Sequence, residues 1–297
     1  MAAKTTINVP HLGGTKVGYA LSGDKYDASK PTCLLINSIC TTVSLYRDQF
    51  NNKKLTDTMN LLAIEPLGHG ATSTSAENYN YWDTAIIALE LMDALGIEKA
   101  YALGTSQGGW IVTRIALIAP ERIQGLIILG SSMDYESSDS RSKGCWDPMP
   151  ILSPIVHGLT SASPTPDFVV DDVLCGMVST LGFGAVVEET VKFWTGTCKE
   201  VYRGDEGRTK LRMTLINLLS RDGLQLRLSD VKCPVHWLHG SDDPVFSAKT
   251  IPHEHIKLFT ASKDTKVTIL QGGSHYLNAT NPNEVNEAVV QMVEKYK

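Results

Sequence analysis

No stretch of the 297-residue chain is apolar for long enough to suggest a membrane span. Two long charge-free runs, 148–166 and 173–187, are interrupted by Pro, Gly, Ser and Thr, so no membrane partner is expected. There is no Lys/Arg block either. With 27 Lys+Arg against 32 Asp+Glu the net charge is −5, and the basic face that phosphate backbones require is missing. Nucleic acid is therefore not expected as a partner. The six cysteines (33, 40, 145, 175, 198, 233) contain no C-x-x-C pair, which leaves a disulfide framework or zinc site without support. They read as free thiols, mostly buried. No G-x-G-x-x-G, G-x-x-x-x-G-K-[ST] or H-E-x-x-H occurs, so neither a cofactor nor a metal is expected. The opening residues lack an apolar signal-peptide core and Glu294-Lys295-Tyr296-Lys297 is no targeting tag, which makes a cytoplasmic location the expectation. A repeat or low-complexity tract is also missing. The sequence leaves a homodimer open.

The composition, 42% hydrophobic and 20% charged, is that of a globular protein with a sizeable core. Strand-like and helix-like segments alternate at both ends of the chain, the pattern of an α/β fold with a mostly parallel central sheet flanked by helices. A hairpin is predicted from 6–10 and 16–21 around Gly13-Gly14, followed by strands at 32–37 and 60–65. Trp82, Ile86, Leu89, Met92 and Leu95 recur at helical spacing until Gly96 stops the segment. A buried strand at 100–104, a helix at 108–119 closed by Pro120 and a strand at 125–130 come next. From 133 to 221 the strand signal disappears and five prolines separate short helical segments. The domain organisation read from this is a core in two parts, 1–132 and 222–297, with a helical lid inserted at 133–221. Strand and helix resume at 234–239, 248–259 and 266–270. In the last helix Asn281 is expected as cap, Pro282 as first residue and Glu284 as partner in a capping box.

Between the strand at 100 and the helix after 108 lies Gly104-Thr105-Ser106-Gln107-Gly108-Gly109, a G-x-S-x-G in strand-turn-helix context. A turn this sharp leaves no space for flanking side chains and lifts the Ser106 hydroxyl above the strand end, so Ser106 is the candidate nucleophile. A serine needs a base, and a base needs an orienting carboxylate. His275, in the loop Gly272-Gly273-Ser274-His275 after the strand at 266–270, is the candidate base. His69 and His239 read as structural turn residues. Asp243 in Gly240-Ser241-Asp242-Asp243-Pro244 is the candidate acid, with Asp242 beside it and Asp134 past the strand at 125–130 as competitors. Negative charge built on a carbonyl oxygen needs two backbone donors. The amide of Gln107, next after the nucleophile, and that of Ile39, in the loop after 32–37, are assigned to this oxyanion hole.

Residues 32–130 and 234–297 resemble the α/β-hydrolase superfamily, in the order Ser, Asp, His as well as in motif. The segment Glu65-Pro66-Leu67-Gly68-His69-Gly70 is similar to that superfamily's D-x-P-G-H-G turn, whose histidine serves packing and hydrogen bonding. Asn37-Ser38 replaces the His-Gly of many members and resembles enol-lactonase-like ones. Tyr81-Trp82-Asp83-Thr84 and the elbow segment look like intracellular fungal hydrolases found near polyketide and toxin biosynthesis genes. The resemblance implies a cofactor-independent serine hydrolase cleaving an ester, lactone or thioester of a small to medium apolar metabolite through an acyl-enzyme on Ser106. The alternatives on the same residues are a C–C bond hydrolase or an acyltransferase of secondary metabolism, and a small-molecule receptor without turnover. Trp146, Met177, Phe183 and Trp194 are the lid residues expected to bind substrate.

Overall fold

A computed structural model describes residues 4–23, 25–185 and 187–296. The strands are β1 (Lys4–Val9), β2 (Thr15–Leu21), β3 (Thr32–Ile36), β4 (Asn60–Ile64), β5 (Ser73–Thr74), β6 (Ala100–Thr105), β7 (Ile123–Leu129), β8 (Val235–Gly240) and β9 (Thr265–Leu270). They form one sheet in the order β1-β2-β4-β3-β6-β7-β8-β9, with β5 on β2. The β1–β2 hairpin and the β2–β4 pair are antiparallel. From β4 to β9 every neighbouring pair is parallel.

Between the strands run α1 (Arg47–Phe50), α2 (Lys53–Thr58), α3 (Tyr81–Ala94) and α4 (Gln107–Ile118). Five helices, α5 (Ser138–Ser142), α6 (Met149–Gly158), α7 (Asp172–Phe183), α8 (Glu188–Val201) and α9 (Gly204–Ser220), separate β7 from β8. After them come α10 (Ile251–His255), α11 (Leu277–Thr280) and α12 (Pro282–Lys295). Among the described residues no helix is long and apolar enough to cross a membrane.

Helices cover both faces of the sheet, which explains why its central strands read as unbroken apolar runs. Side chains alternate along each strand. Leu34, Ile36, Leu62, Ile64, Leu126 and Ile128 join the apolar faces of α3 and α4 in one core. Cys33, Leu35, Leu61, Ala63, Ile127 and Leu129 join Val285, Val289 and Val293 of α12 in the other. The helices between β7 and β8 have a core of their own, built on Leu152, Leu174, Leu211 and Leu215. All six cysteines are free thiols, five of them buried.

Two expectations are corrected here. The helix read at 248–259 is only α10 with a short 3-10 turn after it, Ile256–Leu258. Pro252 stands in its first turn, where a missing N–H is tolerated. The capping box at α12 does not form: Asn281 makes no side-chain cap, and its Oδ1 instead accepts from the Thr280 hydroxyl at 3.0 Å. A well-formed box lies at α3, where the Asn80 side chain accepts from the Trp82 and Asp83 amides and Asp83 accepts from the Asn80 amide.

Candidate active site

The parallel part of the sheet delivers four loops to one edge, the carboxyl ends of β3, β6, β8 and β9, where open α/β sheets bind ligands. Ile39 follows β3, Ser106 follows β6, Asp243 follows β8 and His275 follows β9.

Ser106 is the hinge between β6 and α4, with φ 54° and ψ −117°. A non-glycine residue in this region is strained and is held there by its surroundings. The Ser106 amide donates to Leu129 O at 2.9 Å, and the Ser131 hydroxyl donates to Ser106 O at 3.0 Å. The flanking glycines are dictated by contact. A Cβ on Gly104 would lie 2.1 Å from Gly108 O, and one on Gly108 would lie 2.0 Å from Ile36 O. A Cβ on Gly109 would lie 2.7 Å from Ser131 Oγ and 3.1 Å from Ile128 on β7, so its lack of a side chain lets α4 sit close to the sheet.

His275 Nδ1 donates to Asp243 Oδ2 at 2.8 Å, so that in the neutral ring Nε2 is the nitrogen without a proton. Asp243 Oδ1 accepts from the amides of Val245 and Phe246 at 2.8 and 3.1 Å. His239 Nε2 stands 3.2 Å from the same Oδ2 that His275 uses. Burial alone would raise the Asp243 carboxyl, but His275 and His239 beside it outweigh burial and hold it well below the usual carboxylate range. The two competing acids are engaged elsewhere. Asp242 Oδ1 accepts from the Ser241 hydroxyl, and Asp134 accepts from the Tyr135 and Ser137 amides and the Ser140 hydroxyl. His239, read as a turn residue, belongs instead to β8 and is buried against Asp243.

The backbone donors assigned to the oxyanion hole border the same cavity as Ser106 and His275. The Gln107 amide opens α4, where no helix carbonyl reaches it. In the loop after β3 the Cys40 amide donates to His69 Nε2 at 3.1 Å and the Thr41 amide to Ser38 O, while the Ile39 N–H has no acceptor among the described residues. His69 ties the two halves together. Its Nε2 also accepts from Gln107 Nε2 at 3.0 Å, and its Nδ1 donates to Leu67 O. Burial pushes this imidazole down to about 4, which keeps it neutral and able to accept.

The cavity holds about 620 Å³ of space not filled by atoms, part of it open to solvent. Of the four lid residues read from the sequence, Trp146 and Met177 line it. Phe183 and Trp194 do not: they pack with Leu45 against Tyr276, behind the cavity wall. Phe183 meets Tyr276 edge-on at 5.1 Å and stacks on Trp194 at 5.9 Å, so these aromatics fasten α7 and α8 to the core. Sequence reading missed Tyr81, Trp110, Phe246, Tyr276 and Arg221 on the lining. For Tyr276 and Phe246 the signal was available, since each lies within three residues of a triad position.

A model of the alpha/beta hydrolase fold matches residues 31–143. The 3-oxoadipate enol-lactonase 2 of Acinetobacter baylyi is 22% identical over 295 residues, covering 94% of each chain. Among solved structures, a hydrolase from Pseudomonas aeruginosa superposes with a TM-score of 0.74 at 22% identity over 97% of this chain and 98% of that one. The enol-lactonase from Burkholderia xenovorans gives 0.74 at 18% identity over 97% and 100%. With the sheet order and the strand-end loops, these findings show that the chain has the α/β-hydrolase fold.

Proposed function

We propose that the protein is a serine hydrolase that cleaves an ester, lactone or thioester of a small to medium, largely apolar metabolite. The observation that carries this reading is the hydrogen-bonded His275–Asp243 pair facing the cavity that Ser106 shares. In the proposed cycle His275 Nε2 takes the Ser106 proton as Oγ attacks the carbonyl carbon. The Ile39 and Gln107 amides receive the charge that develops on oxygen. His275 then passes its proton to the departing alkoxide or thiolate, and the acyl group stays on Ser106. Water, deprotonated by the same imidazole, releases the acid and returns the proton to the serine. Asp243 holds the Nδ1–H tautomer throughout and stabilises the imidazolium while it lasts.

Leu152 of α6, Leu174 and Met177 of α7 and Leu215 of α9 border the cavity, and the helical segment acts in this reading as a lid. Their apolar surface favours an apolar acyl or alcohol group. Likeness to an enol-lactonase supports a lactone or ester as the scissile bond. The substrate is the only partner this reading requires, and the acyl-enzyme route calls on no cofactor.

The test is labelling by a small fluorophosphonate, read by intact mass and peptide mapping. Wild-type protein is expected to take one label, on Ser106, and His275→Ala to label at least a hundredfold more slowly, in line with the size of general-base effects (~10²–10⁴). Labelling elsewhere, or at the same rate without His275, would refute the assignment.

A further inference from the structure

The cavity has one permanently charged side chain among its described lining residues, Arg221, at the end of α9. Its side chain is 4% exposed and is paired with Glu136, itself 1% exposed. The guanidinium also lies over the Trp110 ring, 4.6 Å from the centroid. A guanidinium has five N–H bonds to satisfy. Here Nη1 donates to Leu218 O and Nη2 to Glu136 Oε1, while Nε has no acceptor among the described residues. A second donor on the same lining is in the same position: the Trp146 indole N–H is buried and also lacks an acceptor. Buried polar groups are normally hydrogen-bonded, and an unmet donor costs the molecule stability. Two unmet groups bordering one cavity, both of them donors, describe what is missing: oxygen acceptors.

The charge of the missing group follows from Glu136. Its carboxylate already compensates the guanidinium, and no other permanently charged side chain lines the cavity among the described residues. A substrate carboxylate would be buried with no cation of its own and close to a second anion. Burial pushes the Glu136 carboxyl up to about 7, against the pull of Arg221, so the site has little tolerance for further negative charge. A ketone or hydroxyl oxygen meets the donors without that cost.

We infer that Arg221, with Trp146, is a specificity determinant that receives an uncharged oxygen acceptor of the substrate, separate from the carbonyl under attack. The enzyme then acts on oxygenated but uncharged acyl compounds, such as keto or hydroxy esters and lactones. This inference rests on the hydrolase reading given above, which places the scissile carbonyl at Ser106.

The test uses the full chain and three matched series of 4-nitrophenyl esters. In the first a ketone is walked along a straight acyl chain, in the second the ketone is replaced by methylene, and in the third the chain ends in carboxylate. For at least one ketone position kcat/KM should exceed that of the methylene analogue by about tenfold, the low end of a hydrogen bond to a charged donor. Arg221→Met alone would strand Glu136, so the informative variant is Arg221→Met/Glu136→Gln, since removing a buried pair together is far better tolerated than breaking it. In that variant the ratio should fall to about one, and in Trp146→Phe it should fall in part. The inference is overturned if no ketone position is favoured, if the advantage persists in the double variant, or if the carboxylate series is preferred. Fluorophosphonate labelling of the same preparations reports separately on Ser106. Where esters are not turned over, the ketone and methylene pairs are compared as amides by calorimetry on the Ser106→Ala protein, and equal affinities overturn the inference.

Discussion

Gly182 stands one residue before the end of α7, and a methyl group there is expected to impair catalysis from outside the triad. Its carbonyl accepts from the Tyr276 amide at 2.7 Å and from the Ser274 hydroxyl at 3.3 Å, so the loop that carries His275 is tied to α7 on both sides of the histidine. The Tyr276 ring packs directly against the glycine. A Cβ on Gly182 would fall 2.0 Å from Tyr276 Cε2 and 2.3 Å from Cδ2, about 1.4 Å inside ordinary contact. The ring cannot swing aside, because Leu45, Trp194 and Phe183 close the space around it. The displacement must be shared between α7 and the His275 loop.

Overpacking of this kind costs on the order of 1–3 kcal/mol, which should lower the melting temperature by a few degrees. The larger effect is on rate. Moving a catalytic group by about 1 Å costs on the order of 10²-fold, so Gly182→Ala should lose ten- to a hundredfold in kcat and in fluorophosphonate labelling at a temperature where the protein is fully folded. Gly182→Ala/Tyr276→Leu frees the contested space and should recover part of the rate, a non-additivity that destabilisation alone does not produce. Wild-type labelling by Gly182→Ala, or strictly additive losses in the double variant, would refute the claim that α7 positions the base.

Two further outcomes are expected. Asp243→Asn removes the carboxylate that fixes the His275 tautomer and should lower kcat by roughly 10³–10⁴ with an unchanged circular dichroism spectrum; activity within tenfold of wild type would refute the role. Burial pushes His69, His236 and His255 each down to about 4. The folded state therefore binds fewer protons than the unfolded chain between pH 6.5 and 4, and stability present above pH 6.5 is lost as the pH falls, by ~3 kcal/mol per histidine at most. Glu136, raised to about 7 by burial, has the opposite sign: its contribution is present in acid and is lost as the pH rises through 7, offsetting about one of the three histidines. Urea unfolding at pH 7 and at pH 4.5 should show a net loss of several kcal/mol on the acid side, and equal stability at the two values would refute this balance.

What could be read from the sequence follows from how local its cause is. The strands were legible because a sheet covered on both faces needs continuous apolar runs, and 32–36 and 60–64 are such runs. The placement of Ser106, His275 and Asp243 at strand ends was legible because each sits in a short glycine-containing loop whose place is fixed by the strand before it. The lining of the cavity was not. Whether Trp194 or Trp146 faces Ser106 depends on how α6 to α9 roll against the core, and that is decided by contacts such as Phe183 on Tyr276, 93 positions apart in the chain. The Arg221–Glu136 pair was invisible for the same reason, since 85 residues separate two side chains that read singly as ordinary surface charges.

Burial has opposite consequences on the two sides of Ser106, and the hydrogen-bond partners decide which. Asp243 is enclosed as fully as His69, yet it stays charged because two imidazoles and two backbone amides point at its oxygens. His69 stays neutral because burial disfavours its charged form, and its Nε2 faces only donors, the Cys40 amide and the Gln107 side chain, so that protonating it would set N–H against N–H. A negative charge thus stands behind His275, where the proposed cycle forms an imidazolium. On the other side of Ser106 a neutral imidazole, His69, holds the β3 loop and the start of α4 together. The Ile39 and Gln107 amides are fixed by that tether before any substrate arrives, and an oxyanion forming between them would meet dipoles already in place.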